Sequence, residues 1–307
     1  MEYVVSTNDL TKTFGSFTAV NKLNIDIPKG KIYGFLGPNG SGKSTTIRML
    51  CGILQPTSGN GQVLGYNLAL EAEKIKPKIG YMSQKFSLYD DLSVFENLDF
   101  YAGLYSVPRH QRKARVQEMI DMAELNGREQ ELTANLSGGW KQRLALGCAI
   151  ISRPEMLFLD EPTSGISPTS RKKFFNIIQQ LANQGTTVFV TTHFMDEAER
   201  CNNIAFISEG TLIANDTPDN LKKNFIKGIL AELELPNHME RLKDIEKLSS
   251  VKDCSVHGSL LHVLVDSKQQ LQQLQDYTKA EVQVITPSLE DVFINLSKQK
   301  RNEAANE

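Results

Sequence analysis

The sequence predicts an α/β protein built on a mostly parallel sheet, with an antiparallel β region at its start, a helical insertion and a small C-terminal α+β unit. Three observations predict it. Beyond residue 30, short apolar runs alternate with helical stretches, the pattern of parallel strands joined by helices. One of those runs, Met156-Leu-Phe-Leu159, is apolar throughout and ends in Asp160-Glu161. That suits a strand buried on both faces, with its acids at the carboxyl end where such sheets bind ligands. The third is the nine-residue stretch Gly37-Pro38-Asn39-Gly40-Ser41-Gly42-Lys43-Ser44-Thr45. A glycine, four residues and then Gly-Lys-Ser is the spacing of a phosphate-binding loop.

Residues 3–27 alternate short β-prone runs (Tyr3-Val4-Val5, Ala19-Val20, Leu23–Ile27) with turns such as Phe14-Gly15-Ser16, which predicts antiparallel pairing. Pro28-Lys29-Gly30 turns the chain into a strand at Ile32–Leu36, and the glycine-rich loop opens a helix at Ser44–Leu50. Gln55–Gly61 has loop chemistry, and Ile79–Met82 is the next strand, followed closely by Gln84. Helical spacing of apolar residues from about 88 to 151 predicts an insertion between two strands, with Pro108 separating two of its helices. Leu136–Gln142 opens a helix that runs to Ser152 and stops before Pro154. Then come a helix at Arg171–Asn183, a strand at Thr187–Val190 ending in Thr191-Thr192-His193, and a short acidic helix at Met195–Cys201. Ile204–Ile207 and Thr211–Ala214 form a hairpin pair around Glu209-Gly210. This sets a main domain at residues 1–220. Residues 221–307 are Leu-, Gln- and Lys-rich and read as an α+β appendage. Its strands fall at Ile229–Leu235, Val251–Val256, Leu260–Val265 and Val282–Ile285, its helices at 238–248, 268–277 and 288–299, and its polar tail at Asn302–Glu307.

Composition narrows the function. Of the 307 residues 40% are hydrophobic and 23% charged, ordinary for a globular protein, and a net charge of −2 does not favour nucleic acid as a partner. The four cysteines lie far apart and read as reduced core thiols, and the five histidines show no H-x-x-x-H pair. With no basic, apolar leader and no run of 18 apolar residues, the expectation is a chain without signal peptide or span, working in the cytoplasm.

The chemistry of the loop follows from its residue types. Glycines let successive backbone N–H groups turn inward into a concave anion nest. Lys43 adds a compact positive charge, the Ser44 hydroxyl can ligate Mg²⁺, and a helix N-terminus aimed at phosphate adds partial positive charge. Asp160 and Glu161 either cap a strand or do chemistry, one acid holding a metal shell and the other orienting or deprotonating water. The phosphate loop upstream favours the second reading. Phe14 is either a core or edge aromatic or a platform for an adenine ring, and His193 taken alone reads as a strand-end core histidine.

Gly37–Thr45, Gln84, Leu136-Ser-Gly-Gly-Trp140, Leu157-Phe-Leu-Asp-Glu-Pro-Thr-Ser164 and Thr192-His193 come in an order and spacing that resembles an ABC-type ATPase subunit, over about residues 3–215. Thr192–Glu199 and Pro287–Phe293 resemble the subgroup that serves exporters of drugs, lipids or polysaccharides. The resemblance implies a P-loop NTPase core that binds ATP and Mg²⁺. Lys43, Ser44 and the loop amides would hold phosphates and metal, Gln84 would sense Mg²⁺ and a permease, and Asp160 would hold the metal through water. Glu161 would be the general base, His193 would contact the γ-phosphate, and Phe14 would stack on adenine. Ser137, Gly138 and Gly139, a serine N-cap followed by glycines, would meet the ATP of a partner subunit. A head-to-tail pair of such subunits, homo- or heterodimeric, would complete two composite sites and drive a separate membrane permease at the inner face of the cell membrane. The helical insertion and the Gln84 region would receive the permease. The alternative is a soluble ABC ATPase of repair or translation, which would carry long coiled coils or two ATPase units. Two residues depart from the family pattern. Trp140 replaces the usual glutamine and reads as tolerated. Ser167 replaces the usual aspartate, and either weakens communication between subunits or caps the helix that begins near Pro168.

Overall fold

The computed structural model describes residues 2–84 and 87–306, which divide into two compact units, Met1–Asn215 and Asp216–Glu307. In the first, β1 (Tyr3–Phe14), β2 (Phe17–Leu23) and β3 (Asp26–Pro28) are antiparallel, joined by the turn at Gly15. β4 (Ile32–Leu36) is buried at every position and runs into the loop before α1 (Lys43–Leu50). β5 (Ser58–Val63) and β6 (Tyr66–Asn67) complete the antiparallel sheet, in the order β2-β1-β5-β6 with β3 also on β1. The expected loop at Gln55–Gly61 therefore becomes strand from Ser58 onward. Pairing with β1 overrides the turn chemistry of Ser-Gly-Asn-Gly, and Gly59 is required there because a Cβ would lie 2.1 Å from the Asp9 carbonyl oxygen.

After α2 (Ala72–Ile75) and β7 (Ile79–Met82), the insertion forms α3 (Val94–Leu104), α4 (Arg109–Met122) and α5 (Gly138–Ile150). A capping box fixes the start of α3: Ser93 accepts from the Glu96 N–H and the Glu96 carboxylate accepts from the Ser93 N–H. Pro108 stands at the N-cap of α4. The chain returns through β8 (Met156–Asp160), α6 (Pro168–Asn183), β9 (Thr187–Thr192), α7 (Met195–Ala198), β10 (Asn203–Ser208) and β11 (Thr211–Asp216). The six-stranded sheet has the order β11-β10-β4-β9-β8-β7, parallel from β10 through β7. Its central strands, β4, β9 and β8, are buried along their whole length, which accounts for the uninterrupted apolar runs in the sequence.

One hydrophobic core joins both sheets and α1. Phe189 of β9 stands at its centre, with ring centroids 5.8 Å from Tyr33, 5.2 Å from Phe35 and 5.8 Å from Phe158. Cys51, Cys148, Cys201 and Cys254 are free and buried, and burial pushes every one of these thiols up.

The second unit begins earlier than residue 221, with α8 (Pro218–Phe225), which Thr217 caps by accepting from the Asn220 N–H. Then follow β12 (Ile229–Glu234), α9 (His238–Glu246), β13 (Asp253–His257), β14 (Leu260–Val265), α10 (Lys268–Thr278), β15 (Val282–Val284) and α11 (Leu289–Asn306). The sheet order is β13-β14-β12-β15, and Leu233, Cys254, Leu261 and Val263 pack with Ile245 and Leu274 of the helices in its own core. The expected tail at Asn302–Glu307 is instead helix as far as Asn306, continuing α11, and Glu307 lies outside the described residues. Truncating Phe189 to Ala should leave a cavity among three rings and lower the stability of the first unit by about 3–5 kcal/mol. Urea unfolding of the nucleotide-free chain measures this, and a loss below about 1 kcal/mol would contradict the central placement of the ring.

Candidate nucleotide site

The loop from Gly37 to Thr45 lies between β4 and α1, as its spacing requires. Gly42 has φ +102°, and a Cβ there would sit 2.3 Å from the Ala19 carbonyl oxygen, so only glycine fits. Pro38, Asn39 and Gly40 are exposed while Ser41 and Lys43 are buried. The Ser41 hydroxyl is buried with no hydrogen-bond partner among the described residues, a group that a phosphate oxygen would satisfy. Lys43 Nζ bonds the carbonyls of Gly37 at 2.9 Å and Pro38 at 3.1 Å.

The parallel strands bring the other groups to the same edge. Lys43 Nζ is 3.0 Å from Glu161 Oε1, with side-chain exposures of 4% and 8%. Gln84 Nε2 donates to Glu161 Oε2 at 3.2 Å, and His193 Nδ1 is 3.5 Å from that oxygen. Ser44 Oγ donates to Asp160 Oδ1 at 3.1 Å. Lys43, Ser44, Gln84, Asp160, Glu161 and His193 thus form one cluster at the carboxyl ends of β4, β7, β8 and β9. Glu161 itself has φ +46°, a conformation costing non-glycine residues on the order of 1–3 kcal/mol and concentrated at functional sites.

Thr191, which the sequence reading left unassigned, holds this arrangement together. Its hydroxyl donates to Asp160 Oδ1 at 2.9 Å and accepts from the Glu161 N–H at 2.8 Å. Behind it, Thr163 and Thr192 donate to the buried Glu197 carboxylate at 2.5 and 2.6 Å, and burial raises the pKa of that carboxyl. Hydroxyls at the last two positions of an apolar strand are the signal that points to such a role.

The donor set suits Mg²⁺: a hydroxyl (Ser44), a carboxylate (Asp160) and the amide oxygen of Gln84 are hard oxygen ligands gathered beside an anion nest. Phe14 is half exposed at the end of β1, with Lys12 Nζ 5.1 Å from its ring centroid. It is no core aromatic. Ser137 and Gly138 are exposed at the start of α5, where Ser137 makes no side-chain cap. They belong to a different cleft: Ser137, Gly139, Trp140 and Ser167 line a cavity of about 380 Å³. Trp140 carries the Arg128 guanidinium 3.7 Å from its ring centroid, so the departure from glutamine gains a cation–π partner. Ser167 is the N-cap of α6, its Oγ accepting from the Ser170 N–H at 3.3 Å.

A phosphate loop at a strand–helix turn, paired acids at the next strand end and a polar glutamine and histidine around them define a P-loop nucleotide-binding ATPase. Comparison with known proteins narrows the class. The ABC transporter family model matches residues 20–164. The chain is 46% identical over 221 residues to the probable multidrug ABC transporter ATP-binding protein YbhF of Escherichia coli, covering 72% of this chain but only 38% of that longer relative. It is 34% identical over 305 residues to the linearmycin resistance ATP-binding protein LnrL of Bacillus subtilis, covering 96% of this chain and 98% of that one. Among solved structures, a dimeric ATP-binding cassette in a post-hydrolysis state with ADP and phosphate superposes with a TM-score of 0.64, at 27% identity, over 69% of this chain and 98% of that one. The chain belongs to the family of ABC transporter ATP-binding proteins.

Two substitutions probe the support of the site. Ser167→Ala should lower stability by about 1 kcal/mol, whereas Ser167→Asp should leave it nearly unchanged, because both residues are good N-caps. Equal melting temperatures for all three forms would refute the cap. Thr191→Val leaves the Glu161 N–H without its partner and Asp160 one donor short, so ATP turnover should fall about tenfold or more while the fold is kept by circular dichroism. Unchanged turnover would show that Thr191 positions nothing.

Proposed function

We propose that this chain is the ATP-binding and ATP-hydrolysing subunit of an export system, which powers a separate membrane permease by closing and opening a pair of such subunits. The observation that carries the reading is the buried contact between Lys43 and Glu161. Before nucleotide binds, each charge neutralises the other. ATP brings phosphates to the Lys43 ammonium and the loop N–H groups, so Lys43 changes partner and Glu161 Oε1 is freed. Gln84 and His193 keep hold of Oε2, which fixes the carboxylate while Oε1 takes a proton from the attacking water. Mg²⁺, held by Ser44, Asp160 and Gln84, would supply charge neutralisation between the β- and γ-phosphates. Phe14, exposed upstream of the loop, is free to stack on adenine.

The head-to-tail pair follows from the two separate clefts. Ser137, Gly138 and Gly139 face outward at a helix N-terminus, and the ATP on a second subunit is the anion they would meet. The permease would dock on the insertion beside Gln84. Tyr89, Phe100 and Leu104 are exposed there, and Tyr81, Met82, Leu88, Tyr101 and Tyr105 line a cavity of about 160 Å³. No helix among the described residues is long and apolar enough to cross a membrane, so attachment at the inner face of the cell membrane would run through the permease. The relatives named for multidrug transport and linearmycin resistance support export of amphiphilic compounds.

Glu161→Gln keeps the size and hydrogen bonding of the side chain but removes the base. The purified variant should still bind ATP, lose about 10²–10⁴-fold in hydrolysis, and accumulate an ATP-dependent dimer on size exclusion. Parent-like hydrolysis by this variant would overturn the assignment of Glu161, and a persistent monomer would overturn the pair. Lys43→Ala should abolish tight MgATP binding, as read by equilibrium dialysis, and parent-like binding would displace the loop from the site.

A further inference from the structure

The second unit holds a cluster of ligand-type side chains with no part in nucleotide chemistry. His257 closes β13, His262 lies within β14, and Asp291 sits in the first turn of α11. The two imidazoles stack face to face, their centroids 3.7 Å apart and their planes at 13°. His262 Nδ1 is 2.7 Å and His257 Nε2 is 3.3 Å from the same atom, Asp291 Oδ1. One ligand atom from each of the three residues lies within 4.8 Å of the others.

The surroundings orient these groups. Asp291 Oδ2 accepts from the Ser288 N–H at 2.8 Å and from its hydroxyl at 2.6 Å, which leaves Oδ1 facing the rings. The far nitrogen of each ring looks at another carboxylate: His262 Nε2 is 3.3 Å from Glu232 Oε2, and His257 Nδ1 is 4.0 Å from Glu290 Oε2. A carboxylate behind the non-ligating nitrogen is the usual support for a metal-binding histidine.

We propose that His257, His262 and Asp291 bind a divalent transition-metal cation of the zinc class, with water completing the shell. Two imidazole nitrogens and one carboxylate oxygen are a borderline-soft set that favours Zn²⁺ over Mg²⁺ or Ca²⁺. Bonds of about 2.0–2.1 Å at tetrahedral angles place ligand atoms about 3.3 Å apart. The His257–Asp291 distance already matches this, and His262 and Asp291 need to part by only about half an ångström. Charge favours the same conclusion. Asp291, Glu232 and Glu290 surround two stacked imidazoles that repel a second proton, so the pocket is negative and a dication balances it. Burial, with His262 beside it, lowers the pKa of His257, and the neutral imidazole is the ligating form. The bound cation would tie the β13–β14 hairpin to the start of α11 and brace the appended unit.

The test uses the full chain, free of nucleotide, stripped with chelator and kept in excess Mg²⁺. Titration with Co²⁺ should show one equivalent with the intense visible absorption of a four-coordinate site, and Zn²⁺ should displace it. His257→Ala should remove this signal, while His193→Ala, in the nucleotide site, should keep it. Zn²⁺ should also raise the melting temperature of the parent and not of His257→Ala. Asp291→Asn keeps the shape of the side chain, and should weaken Zn²⁺ binding by at least the roughly 10–100-fold seen for supporting residues. The proposal falls if the parent takes up no Co²⁺ with that spectrum, if His257→Ala retains it, or if the signal vanishes with His193→Ala.

Discussion

The first unit depends on keeping one buried positive charge neutral. Lys43 is enclosed by the loop that would bind phosphate, and in the absence of an anion its charge is met by Glu161 and two carbonyls. Removing one partner of a buried pair leaves an uncompensated charge, a penalty of about 3–5 kcal/mol. The same penalty makes the pair a switch. An arriving phosphate satisfies Lys43 at least as well as Glu161 does, so exchanging partners costs little and delivers a free carboxylate beside the phosphate. The rest of the fold serves this exchange. Strands β4 and β8, separated only by β9 in the sheet, set Lys43 and Glu161 on one edge, and Thr191 at the end of β9 locks the acids between them.

This division of labour explains what the sequence revealed. Gly37–Thr45 and Asp160-Glu161 are legible because loop and strand end are each local, with residue types fixed by backbone conformation or by burial on both faces. The meeting of Lys43 with Glu161 is not local, since 118 residues (161 minus 43) separate them in the chain. Spacing alone says nothing of a salt bridge at that separation. Thr191 passed unnoticed for a similar reason: a threonine ending a strand is an ordinary β residue until its neighbours are known.

The misread elements have equally physical causes. Ser58–Gly61 carries turn residues, yet the ladder to β1 and the close approach at Gly59 make it strand. Helix α8 buries a single apolar residue firmly, Leu221, so it shows no stripe, although Thr217 followed by Pro218 is a legible start signal. The histidine–aspartate cluster escaped because its ligands lie five and 29 residues apart (His257 to His262, then His262 to Asp291). A search for closely spaced histidines on one helix misses partners that a β-hairpin and a helix start bring together.

Ser167 shows how a local bond settles a question of long-range coupling. It lines the same cleft as Ser137, the face the proposed pair would close, so position alone would suit a contact across the interface. Its hydroxyl is already committed, however. The oxygen accepts from the Ser170 N–H at 3.3 Å and its proton goes to Ser170 Oγ at 3.1 Å. Serine has one proton to give, so reaching a second subunit would break the cap, at about 1 kcal/mol, to gain a neutral bond worth about as much. An aspartate at that place has two oxygens, and can cap the helix with one while presenting the other, charged, to the partner's loop. The serine therefore keeps the helix and gives up the cross-interface contact, and the pair must close on its phosphates and its Ser137–Gly139 turns instead.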